Sequence, residues 1–317
     1  MNRKKRMKIN NKHFNSYLAG LFEGDGFILC PKAGNTVGKP KIGIASHKKD
    51  RKFFEWLSLQ LGYGQIEKGS SPNSIIFTIK KEEYIKDMCE RIKNYLRTGK
   101  IERVNQVLNY YNLERVELDT SHILSNGWLA GMSDADSNFN VIISDRKKED
   151  KTLKVKRINA QWRLEISTTT SNNISNLEIS NIISEGLNTS VIMRTRKATL
   201  VAPPEVPRPC STARRAGRGD EGGRKEKYHS IIIICFQEEQ KNILVDYFTE
   251  YPLLTAKRND YETWKLIRSI NDLKFKTTST EKKIELVEKA LKLKNKMNNK
   301  NIHVNWEHLK DVVFIET

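Results

Sequence analysis

Apolar positions in this chain switch between two periods, and the switching repeats. Leu18, Leu21 and Phe22 fall at helical spacing. FILCPKAGN, from position 27, then reads as a strand entering a turn. KPKIGIAS, 39–46, returns with Ile42 and Ile44 alternating against Lys41 and Gly43, which predicts a hairpin. Phe53, Trp56, Leu57 and Leu61 predict a helix over 47–61 that stops at Gly62. YGQIEKG and NSIIFTIK make a second hairpin around SSPN, and a third helix carries Tyr84, Met88, Ile92 and Leu96 as its apolar stripe. This order of helix, two strands, helix, two strands, helix defines an α+β unit built on an antiparallel sheet.

The order then restarts. Strands are predicted over 139–147 and 153–168, a helix over 172–187, and a last hairpin from 190–196 and 228–236. LAGLFEGDG at 18–26 and LAGMSDADS at 129–137 are near copies 111 positions apart, and LRTGK at 96–100 echoes LLTAK at 253–257. A two-repeat chain follows. Its expected parts are a basic arm over 1–11, repeats over 12–112 and 125–275 with a linker at 113–124, and a helical extension over 276–317. The extension holds a helix over 281–296 after a Thr280 cap, and VVFI at 312–315 is apolar enough to dock on the body. Residues 202–227 hold four of the eight prolines with no apolar period, and are expected to form a flexible insertion at a hairpin tip. Their Pro, Arg, Ala and Gly content contrasts with the Asn, Lys and Ile elsewhere, as a GC-rich element inserted into an AT-rich frame would.

Small residues decide what the duplicated helices can do. Gly20 and Gly24, like Gly131 and Ala135, lie four apart on one face, so two such helices can pack backbone to backbone. Asp25 and Asp136 would then emerge at the same end, beside the negative ends of two helix dipoles. Two carboxylates there are costly without a cation, and hard oxygen donors suit Mg²⁺. The helix-end carbonyls of Gly24 and Ala135 are further oxygens within reach. The echo places Lys100 and Lys257 equivalently, where they would orient phosphate or water.

Charge narrows the partner. The chain has 56 Lys and Arg against 38 Asp and Glu, a net +18 that calls for a polyanion. Without an apolar run of membrane length, nucleic acid is favoured over a lipid surface. Four scattered cysteines without a CxxC pair suggest neither zinc nor a disulfide framework. On the sheets, Lys32, Lys39, Lys41 and Lys68 in the first repeat form a candidate duplex track. Arg146, Arg157, Gln161, Arg163, Arg194 and Arg196 form its counterpart in the second. His47 and Thr168 fall at matching strand ends, where they would position water.

The paired nonapeptides resemble the motifs of LAGLIDADG homing endonucleases of the single-chain, two-repeat type. That resemblance implies two pseudo-symmetric αββαββα repeats whose antiparallel sheets form a saddle on a long, asymmetric duplex, and a monomer that cuts both strands across the minor groove. It implies Asp25, Asp136 and the carbonyls of Gly24 and Ala135 as ligands for Mg²⁺, with Mn²⁺ or Ca²⁺ able to occupy the same sites. The second copy departs from the pattern at Ser133, where an apolar residue is usual, and at Ser137, where glycine is. Similar proteins also act as RNA maturases for their host introns, so host intron RNA is a rival partner and a non-cutting DNA regulator a third reading. The AT-rich codon usage implied by Asn, Lys and Ile points to an organelle, with a mitochondrial location expected over a chloroplast one.

Overall fold

A computed structural model describes residues 7–31, 38–145, 156–170, 173–197, 227–298, 304–310 and 312–315. Asn10 starts the first repeat: its side-chain oxygen accepts from His13 N at 2.8 Å and caps α1 (Asn11–Asp25). There follow β2 (Gly26–Leu29), β3 (Lys41–His47), α2 (Arg51–Leu61), β4 (Gln65–Lys68), β5 (Ser74–Ile79), α3 (Glu82–Ile92) and α4 (Ile101–Tyr110). The second repeat runs α5 (Trp128–Asp136), β6 (Ser137–Ser144), β7 (Arg157–Ser167), α6 (Leu177–Gly186), β8 (Val191–Lys197), β9 (Lys227–Cys235), α7 (Glu238–Glu250) and α8 (Lys257–Lys276). Each repeat is thus αββαββα plus one further helix.

The two four-stranded sheets have the same order, β2-β3-β5-β4 and β6-β7-β9-β8, and every neighbour within them is antiparallel. Their registers also match. Gly26 pairs with Ile44 just as Ser137 pairs with Leu164, the first residue after each motif helix meeting the middle of the next strand. Period-two alternation gives each sheet one apolar face. In the first repeat that face carries Ile28, Ile42, Ile44, Phe77 and Ile79, all buried, with Phe54 of α2 stacked on Phe77 at 5.5 Å between ring centroids. Phe139, Trp162, Leu164 and Ile233 do the same in the second, and Phe139 meets Phe248 and Trp264 from α7 and α8. Among the described residues, the other face of each sheet carries no helix of its own repeat.

Some expected elements shift. Gly62 ends α2 in the left-handed conformation, φ 77°, as its position requires. Helix α3 buries Ile85, Met88, Cys89 and Ile92, so the true stripe turns away from Tyr84, which instead stacks on Tyr63, and Leu96 lies beyond the helix. Ser279, not Thr280, caps α9 (Thr280–Lys294), accepting from Lys282 N at 3.3 Å. Helix α10 (Glu307–Lys310) leads to β10 (Val312–Ile315), which pairs in parallel with β1 (Met7–Asn10). Met7–Asn10, expected in a free arm, is therefore a strand. The 202–227 insertion, save Lys227 at the start of β9, lies outside the described residues.

Candidate active site

Helices α1 and α5 meet backbone to backbone, and glycine is what permits it. A methyl group at Gly20 would stand 1.9 Å from Trp128 O, and one at Gly131 would stand 2.0 Å from Tyr17 O. Further along, a methyl at Gly24 would lie 2.2 Å from Ala135 Cβ and 3.5 Å from Asp136 Oδ2. Real Cβ contacts are never so short at the first two positions, so any side chain would force the helices apart. The contact at Gly24 shows where the seam ends: the carboxylate of one repeat lies beside the residue that precedes the carboxylate of the other.

Asp25 and Asp136 are the last residues of α1 and α5, and the next residue of each chain begins a strand. Neither carboxylate has a hydrogen-bond partner among the described residues. Burial, then the neighbouring Asp136, pushes the Asp25 carboxyl up to about 7, against the pull of Lys257 and Lys100. Desolvation raises the Asp136 carboxyl as well, although its side chain is more open to solvent, while Lys257 and Lys100 lower it. Like charges this close titrate as a pair. Such a pair, with hydrogen-bonding capacity unspent, is what a cation would relieve.

The lysines reach the same end. Lys100 Nζ donates to Gly24 O at 2.7 Å and Gly26 O at 2.9 Å; Lys257 Nζ donates to Ser133 O and Ala135 O, both at 2.9 Å. Each ammonium thus bonds one of the last carbonyls of a motif helix, Gly24 O or Ala135 O, at the negative end of the dipole. Burial lowers both lysines' affinity for their proton, opposed by the aspartates nearby. The six residues expected at the centre, Asp25, Asp136, Gly24, Ala135, Lys100 and Lys257, are brought together in one cluster.

Two further acids lie beneath the aspartates. Glu23 and Asp134, equivalent positions of the two motifs, are buried at 3% and 6% exposure. Glu23 accepts from Arg97 N, Thr98 N, Thr98 Oγ1 and Trp128 Nε1, and Asp134 from Leu254 N, Thr255 N, Thr255 Oγ1 and Tyr17 OH. These acids fasten the turns that carry the lysines. The signal was there in the sequence, since both nonapeptides have an acid two places before the terminal one. Asp50 plays a related part, accepting from Ala256 N at 2.9 Å and Ser46 Oγ at 2.7 Å.

Along the helix-free faces, the candidate nucleic-acid residues divide. Arg157, Gln161 and Arg163 alternate on that face of β7, and Arg194 joins them through its pairing with Ser230. Arg196 pairs with Tyr228 in the same ladder. Lys41 shares the corresponding face of the first sheet, ion-paired with Glu67 at 3.2 Å, and Lys39 is exposed just before it. Lys68 does not: it pairs with buried Ile75, on the side the helices cover, because a one-residue step in a strand changes face. Lys32 and Arg146 lie outside the described residues. His47 corresponds by register to Ser167 rather than Thr168, and its Nδ1 accepts from Lys49 N, starting a short turn before α2. Glu165 has no acidic counterpart, since Ala45 holds the matching place; it pairs with Arg163, accepts from Ser230 Oγ at 2.8 Å and raises Asp136.

The donor set fits a hard divalent cation. Among the described residues there is no cluster of three or more acidic, His or Cys side chains. Mg²⁺ needs none, since one or two carboxylates suffice when phosphate and water complete the shell. Each carbonyl of Gly24 and Ala135 accepts one lysine and keeps a second lone pair.

Fold and site together define a single chain of two repeats, joined through glycine-faced helices that each end in an acid. The family model for LAGLIDADG endonucleases matches residues 18–111 and 221–268. In those two segments the chain resembles this family in its single-chain, two-repeat form. It is 24% identical to the intron-encoded DNA endonuclease aI3 of Saccharomyces cerevisiae, over 98% of this chain and 75% of that protein. It is also 26% identical to the intron-encoded RNA maturase bI4 of the same yeast, over 44% of this chain and 21% of that one. Among solved structures, the meganuclease I-SmaMI bound to uncleaveable DNA superposes with TM-score 0.60 at 15% identity, covering 90% of this chain and 99% of that one. I-GzeII in complex with its DNA target gives 0.60 at 12% identity, covering 90% and 99%. These likenesses establish the fold.

Proposed function

We propose that the protein is a site-specific DNA endonuclease that hydrolyses one phosphodiester bond in each strand of a long, asymmetric duplex, with Mg²⁺ or a similar divalent ion at Asp25 and Asp136. The observation that carries this reading is the junction, at one helix seam, of two half-buried lysines and two carboxylates without a hydrogen-bond partner among the described residues. RNA or DNA binding alone would give no reason for a raised acid pair. The relatives named as an intron-encoded DNA endonuclease and the DNA-bound meganuclease structures support the substrate class.

Asp25 and Asp136, with the carbonyls of Gly24 and Ala135, would hold the ion. When bound, it supplies a Lewis acid that neutralises phosphate charge and acidifies water. The chain's own groups do the remaining work. Lys100 and Lys257 bring positive charge to the scissile phosphates. Arg157, Gln161, Arg163 and Arg194 hold the duplex in register on the helix-free face, while Lys39 and Lys41 do so on the other sheet. A single chain supplies both halves, so the protein acts as a monomer. Its kinship with intron-encoded yeast proteins supports an organellar, mitochondrial origin.

Incubation with intronless host-gene DNA and Mg²⁺ tests the reading. The intact protein linearises the target, whereas Asp25→Asn and Asp136→Asn bind it without cutting. Cutting by both variants would overturn it. The match to the bI4 maturase supports a second activity on host intron RNA. In that case both variants would keep their RNA binding, because it requires neither acid.

A further inference from the structure

The hydrogen bonds beneath the aspartates cross from one repeat to the other. Glu23 takes three donors from its own repeat, Arg97 N at 2.9 Å, Thr98 N at 2.7 Å and Thr98 Oγ1 at 2.6 Å, and a fourth from Trp128 Nε1 of the opposite repeat at 2.6 Å. Asp134 repeats the pattern, with Leu254 N at 2.7 Å, Thr255 N at 3.1 Å, Thr255 Oγ1 at 2.6 Å and, from the opposite repeat, Tyr17 OH at 2.7 Å. Tyr17 and Trp128 stand 111 residues apart, the same offset as the motifs themselves. The restraint then passes upward. Thr98 Oγ1 accepts from Lys100 N at 3.2 Å, and Thr255 Oγ1 accepts from Lys257 N at 3.3 Å.

A buried carboxylate with four donors has no freedom to turn, whereas one deprived of a donor has both an unsatisfied lone pair and room to swing. Tyr17 and Trp128 each occupy the place on the carboxylate that its own repeat leaves open. We propose that the two sites are cross-braced: Tyr17 positions Lys257 through Asp134 and Thr255, and Trp128 positions Lys100 through Glu23 and Thr98. Each strand's cut then depends on a side chain from the opposite repeat. The consequence for cutting rests on the nuclease reading, whereas the brace itself can be read without it. Tyr17 and Trp128 are positioning residues, remote from any substrate.

The test begins with lysine footprinting of the full chain by an acetylating reagent, read residue by residue by mass spectrometry. Tyr17→Phe should raise the labelling rate of Lys257 several-fold and leave Lys100 unchanged. Thr255→Val breaks the same path one step nearer the lysine without touching α1, and should do the same. Trp128→Phe should act in mirror image, on Lys100. On a supercoiled plasmid carrying the target, Tyr17→Phe should slow by about tenfold the strand that Lys257→Met slows, so that nicked circles accumulate. Equal changes at both lysines, a change at Lys100 alone, or equal slowing of both strands would overturn the brace. A wild-type chain that cuts nothing yet shows the crossed footprint would uphold the brace and sink the nuclease reading instead.

Discussion

Gly20 faces Trp128 so closely that a methyl group on the glycine would stand 1.9 Å from the tryptophan's carbonyl oxygen. Gly131 faces Tyr17 in the same way at 2.0 Å. The obstacle in each case is backbone, which cannot rotate aside. Gly20→Ala and Gly131→Ala should each destabilise the protein by about 3 kcal/mol or more, since the helices must part and lose packing along their length. Gly62→Ala is the control. It meets nothing within 4 Å and suffers only from φ 77°, so it should cost about 1 kcal/mol. Thermal unfolding of the three variants checks the order.

Asp25 gives a prediction about pH. An unfolded aspartate ionises near 3.9, whereas burial and Asp136 raise Asp25 to about 7 in the folded protein. Below about 3.9 the group is neutral in both states and costs nothing. Between there and 7 the folded state holds a proton that the unfolded state has lost, so the stability the group allows declines as pH rises, and above 7 the full cost remains. Asp25→Asn should therefore stabilise the metal-free protein by ~1–2 kcal/mol at pH 8, with the remaining solvent access limiting the gain, and by almost nothing at pH 4. A gain that does not vary with pH would contradict this origin.

On the proposed nuclease reading, the same titration would govern cutting. A protonated Asp25 cannot hold a cation, so at limiting Mg²⁺ cleavage should fall as pH drops through about 7, and more Mg²⁺ should move the fall to lower pH. Rates measured at several Mg²⁺ concentrations between pH 5.5 and 8.5 would show the displacement.

Lys100 and Lys257 fill equivalent places on different helix ends, so on the proposed nuclease reading they would serve different strands. Lys100→Met and Lys257→Met should each slow one strand by about 10²-fold and leave target binding within a few-fold. Strand-specific end labelling should show opposite strands affected.

Strand register separates two basic residues of similar sequence appeal. Arg163 lies on the helix-free face, pinned by Glu165, whereas Lys68 lies opposite Ile75 on the covered side. Arg163→Ala should weaken target binding by about 1–3 kcal/mol, and Lys68→Ala by less than about 0.5 kcal/mol, in titrations at fixed salt.

The sequence made the acids, the lysines and the hairpins legible, because duplication turns each local pattern into a pair that supports itself. For Glu23 and Asp134 the duplication marks the position but not the role; what assigns the role is the donor set, assembled from residues 74 to 121 positions away. The pairing of β1 with β10 joins segments some 300 residues apart, and nothing in either segment names the other. Lys68 was misplaced for a different reason. Where a strand is four residues long and partly polar, as β4 is, alternation gives too little signal to tell its faces apart.

No residue separates either acid from the sheet that follows it: Asp25 leads directly to Gly26 of β2, and Asp136 to Ser137 of β6. There is accordingly no hinge to absorb a poor fit. On the proposed nuclease reading, a duplex seated a fraction of an ångström out of place would displace the chemistry with it, so discrimination among targets would be exercised at the moment of cutting as much as at the moment of capture. Any attempt to retarget such a protein by altering its strands will therefore change its speed along with its choice.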